Sequence, residues 1–395
     1  MSDTSDAANP VWLNATSCSL DDFRAIVDVE TKREAVPLAV QIEGNIPIYD
    51  GSAVRAAYGN TADAKAFMAE WNRVFASGAG IIVIKNSFDD LELIDQVTGV
   101  LNQIIAQERD GQSGSGDHFA AAGANSRVWN AHEKLCMAAP ELFARYNANP
   151  VFAMVSQAWL GPQYQITTQV NVVRPGGKAQ VCHRDYHMGF QTAEELALYP
   201  ASIHALSAML TLQGGVAHCD MSVETGPTKL LPHSQKYLPG YFAAQLPEFR
   251  AYFEENFVQL PLNKGDTVFF NPATFHAAGE NKTADVDRIV NLMQIGSGYG
   301  RSIEIVDRHR MCKHLYPALR QMITAEVFTS DDIDCIVAAC AEGYPFPANL
   351  DIDSPLSGMA PESQQHLMRR ALVEGWSTTE FEQSLDAQSG RKRSH

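Results

Sequence analysis

Gln180-Val181-Cys182-His183-Arg184-Asp185 sets an imidazole and a carboxylate two residues apart in a stretch, 180–186, that reads as a β-strand. On a strand, residues i and i+2 point to the same face, so His183 and Asp185 can close on one metal ion while Arg184 points away. A third ligand then has to come from a distant segment. His276 supplies it at the end of Asn271-Pro272-Ala273-Thr274-Phe275-His276, directly after the apolar run 267–270. Two neutral imidazoles and one carboxylate suit Fe(II) and leave open positions for further ligands. Such a separation between ligands is what a sheet closing on itself provides. Arg288 follows 12 residues after His276 within an otherwise apolar run, Ile289, Val290, Leu292 and Met293. A guanidinium in that setting needs a partner, either a bidentate carboxylate ligand or a salt bridge to Asp285 or Asp287.

Alone, an H-x-D pair is weak evidence in a chain with twelve histidines. Its surroundings add to it. Short strand candidates bounded by Gly, Pro and Asn recur at 166–173, 180–186, 205–213, 229–231, 267–270 and 288–294. The core therefore reads as mainly β, a closed sandwich or barrel. In 166–173, Thr167, Gln169 and Asn171 share one face; in 205–213, Ser207, Met209, Thr211 and Gln213 do the same. These one-sided polar faces fit either a solvated surface or a polar cavity inside a barrel.

Upstream, 20–34 carries a helical pattern with Ser19 or Asp21 as cap. A short strand at 46–49, a helix at 61–77, a buried strand at 81–84 and a helix at 91–108 follow. The Gly/Ser-rich 110–117 reads as a loop and a candidate mobile lid. After residue 310 the pattern turns helical at 315–327, 331–341 and 361–375, with a proline-rich stretch at 345–355 between the last two. The chain divides into an arm (1–45), a catalytic unit (46–310) and a helical extension (311–395) ending in a basic, frayed tail, Arg391-Lys392-Arg393.

The 395 residues are 45% hydrophobic and 19% charged, a globular composition, and carry a net charge of −16. That charge repels a phosphate backbone, so nucleic acid is an unsuitable partner. No apolar run reaches membrane-spanning length, and the N-terminus lacks a basic lead into an apolar stretch. Seven cysteines without CxxC spacing argue against a disulfide scaffold or zinc ribbon. A cytoplasmic location, no membrane and a small-molecule partner are expected; the helical extension offers a surface for a homodimer.

Further residues carry two readings each. His187 lies two residues beyond Asp185 and either faces the same cavity or opens the outgoing loop. Arg127, Trp129, His132 and Lys134 either grip a polar substrate over the metal or form an ordinary packed segment. His218, Cys219 and Asp220 resemble a second metal cluster but precede a turn and read as a loop. Arg184 reads as half of a structural pair.

Taken in order, Arg174-Pro175-Gly176-Gly177, Gln180 to Asp185, Glu224-Thr225-Gly226-Pro227-Thr228-Lys229-Leu230-Leu231-Pro232-His233-Ser234, Lys264-Gly265-Asp266, His276 and Arg288 resemble the phytanoyl-CoA dioxygenase family of Fe(II)/2-oxoglutarate oxygenases. The match covers about 46–310. The resemblance implies a double-stranded β-helix, a jelly roll of cupin type with helical N- and C-terminal extensions. It implies iron on His183, Asp185 and His276, with 2-oxoglutarate as cosubstrate and its far carboxylate on Arg288. Gln169, Asn171 and Thr228 fall where auxiliary cosubstrate groups stand. The activity implied is hydroxylation or other oxidation of a small metabolite, O2 and 2-oxoglutarate giving CO2 and succinate. A Jumonji-type protein oxygenase, and a non-catalytic metal sensor on the same barrel, are the alternatives. The family often has Trp before the first ligand and a Gly-Ser-His turn, where this chain has Cys182 and His233-Ser234-Gln235.

Overall fold

Alternation along ten strands organises the molecule, seen in a computed structural model that describes residues 11–110, 125–355 and 359–393. The strands are β1 (Gln41–Glu43), β2 (Ile46–Asp50), β3 (Ile81–Lys85), β4 (Asn125–Val128), β5 (Gln165–Val173), β6 (Thr211–Ala217), β7 (Lys229–Leu231), β8 (Thr267–Phe270), β9 (Phe275–Ala277) and β10 (Arg288–Gly296). Eight form one sheet in the order β1-β2-β3-β8-β6-β10-β5-β4, while β7 and β9 pair separately. Every neighbouring pair is antiparallel except β2 and β3. That parallel pair requires a crossover, made by helices Gly51–Tyr58 and Thr61–Ala76. This large sheet, the small one and the flanking helices make the double-stranded β-helix that the family resemblance implied.

The sheet's two faces have different chemistry. On β5, Ile166, Val170 and Val172 join Leu212 and Val216 of β6 and Met293 and Ile295 of β10 in one apolar cluster. Helices cover that face, with Trp71, Phe152, Leu315, Tyr316, Phe381 and Leu385 in the same cluster. Burying each such side chain contributes about 1.5–3 kcal/mol. The opposite face of the same strands bears Gln169, Asn171, Gln213, Arg288 and Gln294, and these line a cavity. Thr167, Gln169 and Asn171 are at most 4% exposed, so the polar stripe on β5 is interior and not solvated.

Two expected strands are not formed. The 205–213 segment is mostly helix, Ala201–Met209, and β6 begins only at Thr211. Its apparent alternation is also compatible with a helix that buries His204 and Ser207, one turn apart, and three alanines across 201–213 favour helix. The 180–186 segment is irregular. It follows β9 through a single bridge, His183 with His276, and through Gln180 and Asp185 amides donating to the Ala278 and Pro272 carbonyls.

Helices not read from the sequence lie at Ala131–Ala138, Pro140–Asn147 and Pro150–Leu160, the last two with proline in the first turn, where its missing N–H is no loss. Ser19 caps the helix as expected, but it spans only Leu20–Val27 and stops at Asp28, short of the expected 34. This helix sends Phe23, 0% exposed, among Tyr237, Phe249, Tyr252 and Phe275 behind the small sheet. The basic tail is not frayed through Arg391, which ends helix Thr378–Arg391 and pairs with Asp353. The 110–117 loop falls almost wholly outside the described residues.

Candidate active site

Three ligand-type side chains converge although their segments are far apart in sequence. Nitrogen and oxygen atoms of His183, Asp185 and His276 lie within 4.8 Å of one another. His183 Nε2 is 3.9 Å from Asp185 Oδ1, and His276 Nε2 is 3.5 Å from Asp185 Oδ2. The tautomers follow from the backbone. His183 Nδ1 lies 2.8 Å from the Val181 carbonyl and His276 Nδ1 2.8 Å from the Thr274 carbonyl. A carbonyl only accepts, so each Nδ1 carries a proton, and each Nε2 is the nitrogen turned toward the carboxylate. Burial, and then the neighbouring His276, lowers the pKa of His183 and keeps it neutral. Burial pushes the Asp185 carboxyl up, but the His276 and His183 imidazoles and the Gln213 amide outweigh this and hold it well below the usual carboxylate range. Two imidazoles presenting Nε2 beside an ionised carboxylate form a donor set for a divalent cation.

Gln213 is a partner that sequence reasoning placed on a polar face without a role. Its Nε2 donates to Asp185 Oδ2 at 2.6 Å, the kind of outer contact that orients a metal-binding carboxylate. Arg184 is buried as expected of a structural residue, yet it has no carboxylate partner among the described residues. Its guanidinium donates to the Ser234 and Tyr237 carbonyls.

The triad sits on the wall of a cavity of about 580 Å³, within the range that holds small ligands. Along its floor, β10 presents Arg288, Val290, Leu292 and Gln294 to the interior. Arg288 is 3% exposed and donates to the Gly279 carbonyl at 3.3 Å, while its buried Nε has no hydrogen-bond partner. No ion pair joins it to Asp285 or Asp287 among the described residues. Burial lowers its pKa to about 10, which leaves it charged. Asn171, opposite Val290 in the β5–β10 register, also turns an unpartnered buried Oδ1 inward. Thr228 lines the same cavity from the loop before β7. A buried guanidinium with an open N–H is chemically suited to an anionic oxygen ligand, and the Asn171 Oδ1 to a donor.

The residues proposed for substrate divide. Arg127 and Trp129 line the cavity; Arg127 lies over the Trp129 ring at 5.3 Å and donates to Gln169 Oε1 at 3.4 Å. His132 does not line it. It is 3% exposed, donates from Nε2 to the Ala339 carbonyl, and meets Phe143 edge-on. Burial pulls its pKa to about 3, so it is a neutral core residue. Lys134 is paired with Glu108. His187 also turns away: it opens the short turn His187–Phe190, and its Nε2 donates to the Arg301 carbonyl. The 218–220 cluster disperses, with His218 bonded to Thr98 and Tyr146, Cys219 accepting from the Ile289 amide, and Asp220 accepting from the Lys264 amide.

Gln294 and Glu304 went unread. Even spacing from Arg288 along β10 identifies Gln294 as cavity-facing. Nothing local in the sequence marks Glu304. Its carboxyl is 6% exposed, accepts from the Asn130 amide and lies against Gln169, and burial pushes it up to about 7.

The family model for phytanoyl-CoA dioxygenase matches residues 77–290, which is 214 of 395 residues and spans all three triad members and Arg288. The chain belongs to the phytanoyl-CoA dioxygenase family. Among solved structures, the non-heme alpha ketoglutarate dependent carbocyclase SnoK from nogalamycin biosynthesis aligns with this family member at 17% identity and a TM-score of 0.44, covering 60% of this chain and 86% of that one. The epimerase SnoN from the same biosynthesis aligns at 18% identity and 0.38, covering 59% and 84%. At these values neither likeness bears on this family member's reaction. Among curated proteins none matches it. No helix among the described residues is long and apolar enough to cross a membrane.

Proposed function

We propose that the protein is an Fe(II)- and 2-oxoglutarate-dependent oxygenase that hydroxylates, or otherwise oxidises, a small organic metabolite. The carrying observation is the pairing, within one cavity, of an inward-facing His183/Asp185/His276 set with a buried, charged Arg288 whose Nε is left without a partner. In this reading His183 Nε2, His276 Nε2 and the Asp185 carboxylate hold the iron. Arg288 binds the far carboxylate of 2-oxoglutarate, with Thr228, Asn171 and Gln169 as supporting contacts. Iron and cosubstrate, when bound, supply the oxidising chemistry with O2, releasing succinate and CO2. The protein's own work is to fix ligand angles, to neutralise the cosubstrate and to keep bulk water from the apolar walls formed by Leu230, Val268 and Phe270.

Arg127 and Trp129 fall on the part of the wall left for substrate, joined by Gln169. A cation backed by an indole suits a molecule with an anionic or polar group and an apolar body. We read residues 46–310 as the catalytic unit, with the arm and the helical extension as supports. A cytoplasmic setting suits its seven free thiols.

The test is succinate formation from 2-oxoglutarate with added Fe(II) and O2, surveyed across candidate metabolites. Asp185→Ala is expected to abolish both iron uptake and succinate release. Stoichiometric iron loading with no cosubstrate turnover under any condition would instead support a metal sensor.

A further inference from the structure

We propose that Arg184, the residue between two ligands, is a positioning residue that sets the separation of the two metal-binding segments. This rests on reading the triad as a metal site.

Arg184 is 4% exposed, and its guanidinium is held among Ser234, Tyr237, Tyr241 and Phe275. Its Nη2 donates to the Ser234 carbonyl at 2.5 Å and to the Tyr237 carbonyl at 2.8 Å. Its Cζ stands over the Phe275 ring at 5.2 Å and the Tyr241 ring at 5.3 Å. Phe275 precedes the third ligand, His276, so one side chain bridges the segment carrying His183 and Asp185 to the strand carrying His276.

Other contacts close the frame. The Phe275 amide donates to Ser234 Oγ at 2.8 Å, and that hydroxyl donates to the Leu231 carbonyl. The Tyr241 hydroxyl donates to the Asp185 carbonyl at 3.3 Å. Gly240 leaves the space: a Cβ there would stand 1.9 Å from Arg184 Cζ. Phe23 of the N-terminal helix supports the Phe275 ring at 5.1 Å.

Burying a cation without a carboxylate is costly, and an apolar side chain of similar volume is commonly more stable in such a place. A planar fork that meets two carbonyls and two ring faces at fixed directions does what an apolar residue cannot: it fixes position and angle together. Metal affinity depends on ligand placement within a few tenths of an ångström. The charge is retained for placement.

The experiment uses the full chain and Co(II) alone, with Kd from calorimetry and ligand geometry from the visible absorption of bound Co(II). Gly240→Ala, which displaces the guanidinium, and Arg184→Lys, which keeps the charge but loses the fork, are each expected to weaken Co(II) binding about 10-fold or more. Both should also shift the visible band while circular dichroism stays native. In the double variant the added methyl meets no Cζ, so binding should be no weaker than in Arg184→Lys alone. If Gly240→Ala does not fold, Ser234→Ala, which cuts the link to the Phe275 amide, is expected to show the same loss and band shift. Variants that melt earlier yet keep the wild-type band, with Kd within about two-fold, would overturn the proposal while leaving the metal site standing. Failure of the wild type to bind Co(II) would remove the metal site itself, and this proposal with it.

Discussion

Arg288 lines the cavity and Glu304 lies against Gln169, a residue of its wall; both are buried charge-bearing groups, and their surroundings lead to opposite behaviour. Arg288 remains charged and lacks a carboxylate partner among the described residues, a partner that the proposed function finds in the far carboxylate of 2-oxoglutarate. Arg288→Gln is expected to weaken 2-oxoglutarate binding by about 2–3 kcal/mol, roughly 30- to 150-fold in Kd. Fe(II) affinity should be unchanged in the same anaerobic titration. Glu304 instead has its pKa raised by burial from 4.5 to about 7. A carboxyl whose folded-state value lies above its unfolded one stabilises the fold at low pH, and the contribution is lost as pH climbs from about 4.5 through 7. Between pH 5 and 8 this amounts to about 2 kcal/mol. Glu304→Gln keeps an acceptor for the Asn130 amide and should remove that dependence, making the variant more stable than wild type at pH 8. Urea denaturation at several pH values reads it directly.

Among the elements, helix Ser330–Cys340 ends on carbonyls that its own backbone cannot satisfy. Arg308 Nη1 reaches the Ala339 and Cys340 carbonyls, and its Nη2 reaches that of Ile166 in β5. A cation at a helix C-terminus also meets the favourable end of the dipole. Arg308→Met should therefore cost about 3 kcal/mol, seen as a lower urea midpoint at unchanged slope. At this scale the sequence was legible where one physical signal dominated. Alternation fixed β5 and β10, and caps and apolar stripes gave Leu20–Val27 and Thr61–Ala76. It misled where patterns were compatible with two structures, as in Ala201–Met209. The 180–186 segment keeps the same-site convergence of His183 and Asp185 without being a regular strand, because its partner contacts are with loops as well as β9. His132 kept two readings because helix Ala131–Ala138, which points it into the core, was itself unread. Arg184's role needed coordinates, since Ser234, Tyr241, Gly240 and Phe275 meet it only in the folded chain.

For the molecule as a whole, the helical extension is not peripheral in packing. Leu315, Tyr316, Phe381 and Leu385 are each 0% exposed and belong to the cluster that covers the outer face of the large sheet. A chain ending at residue 310 would bare that face, so it is expected to lose cooperative unfolding and bind a hydrophobic dye in the native buffer. The full chain should do neither, with circular dichroism melts and dye fluorescence as the readouts.

The alternation of β10 has a consequence for how this protein can change over generations. Arg288, Val290, Leu292 and Gln294 face the cavity, while Asn291, Met293 and Ile295 face the helices. Losing or gaining one residue within the strand would exchange the two sets, placing the guanidinium in oil and methionine beside the ligand. New preferences for substrate are therefore reachable by single replacements at positions such as 292 and 294, and closed to length changes there. The segment 297–307, which adjoins the cavity through Ile303, is where length can vary without inverting a wall.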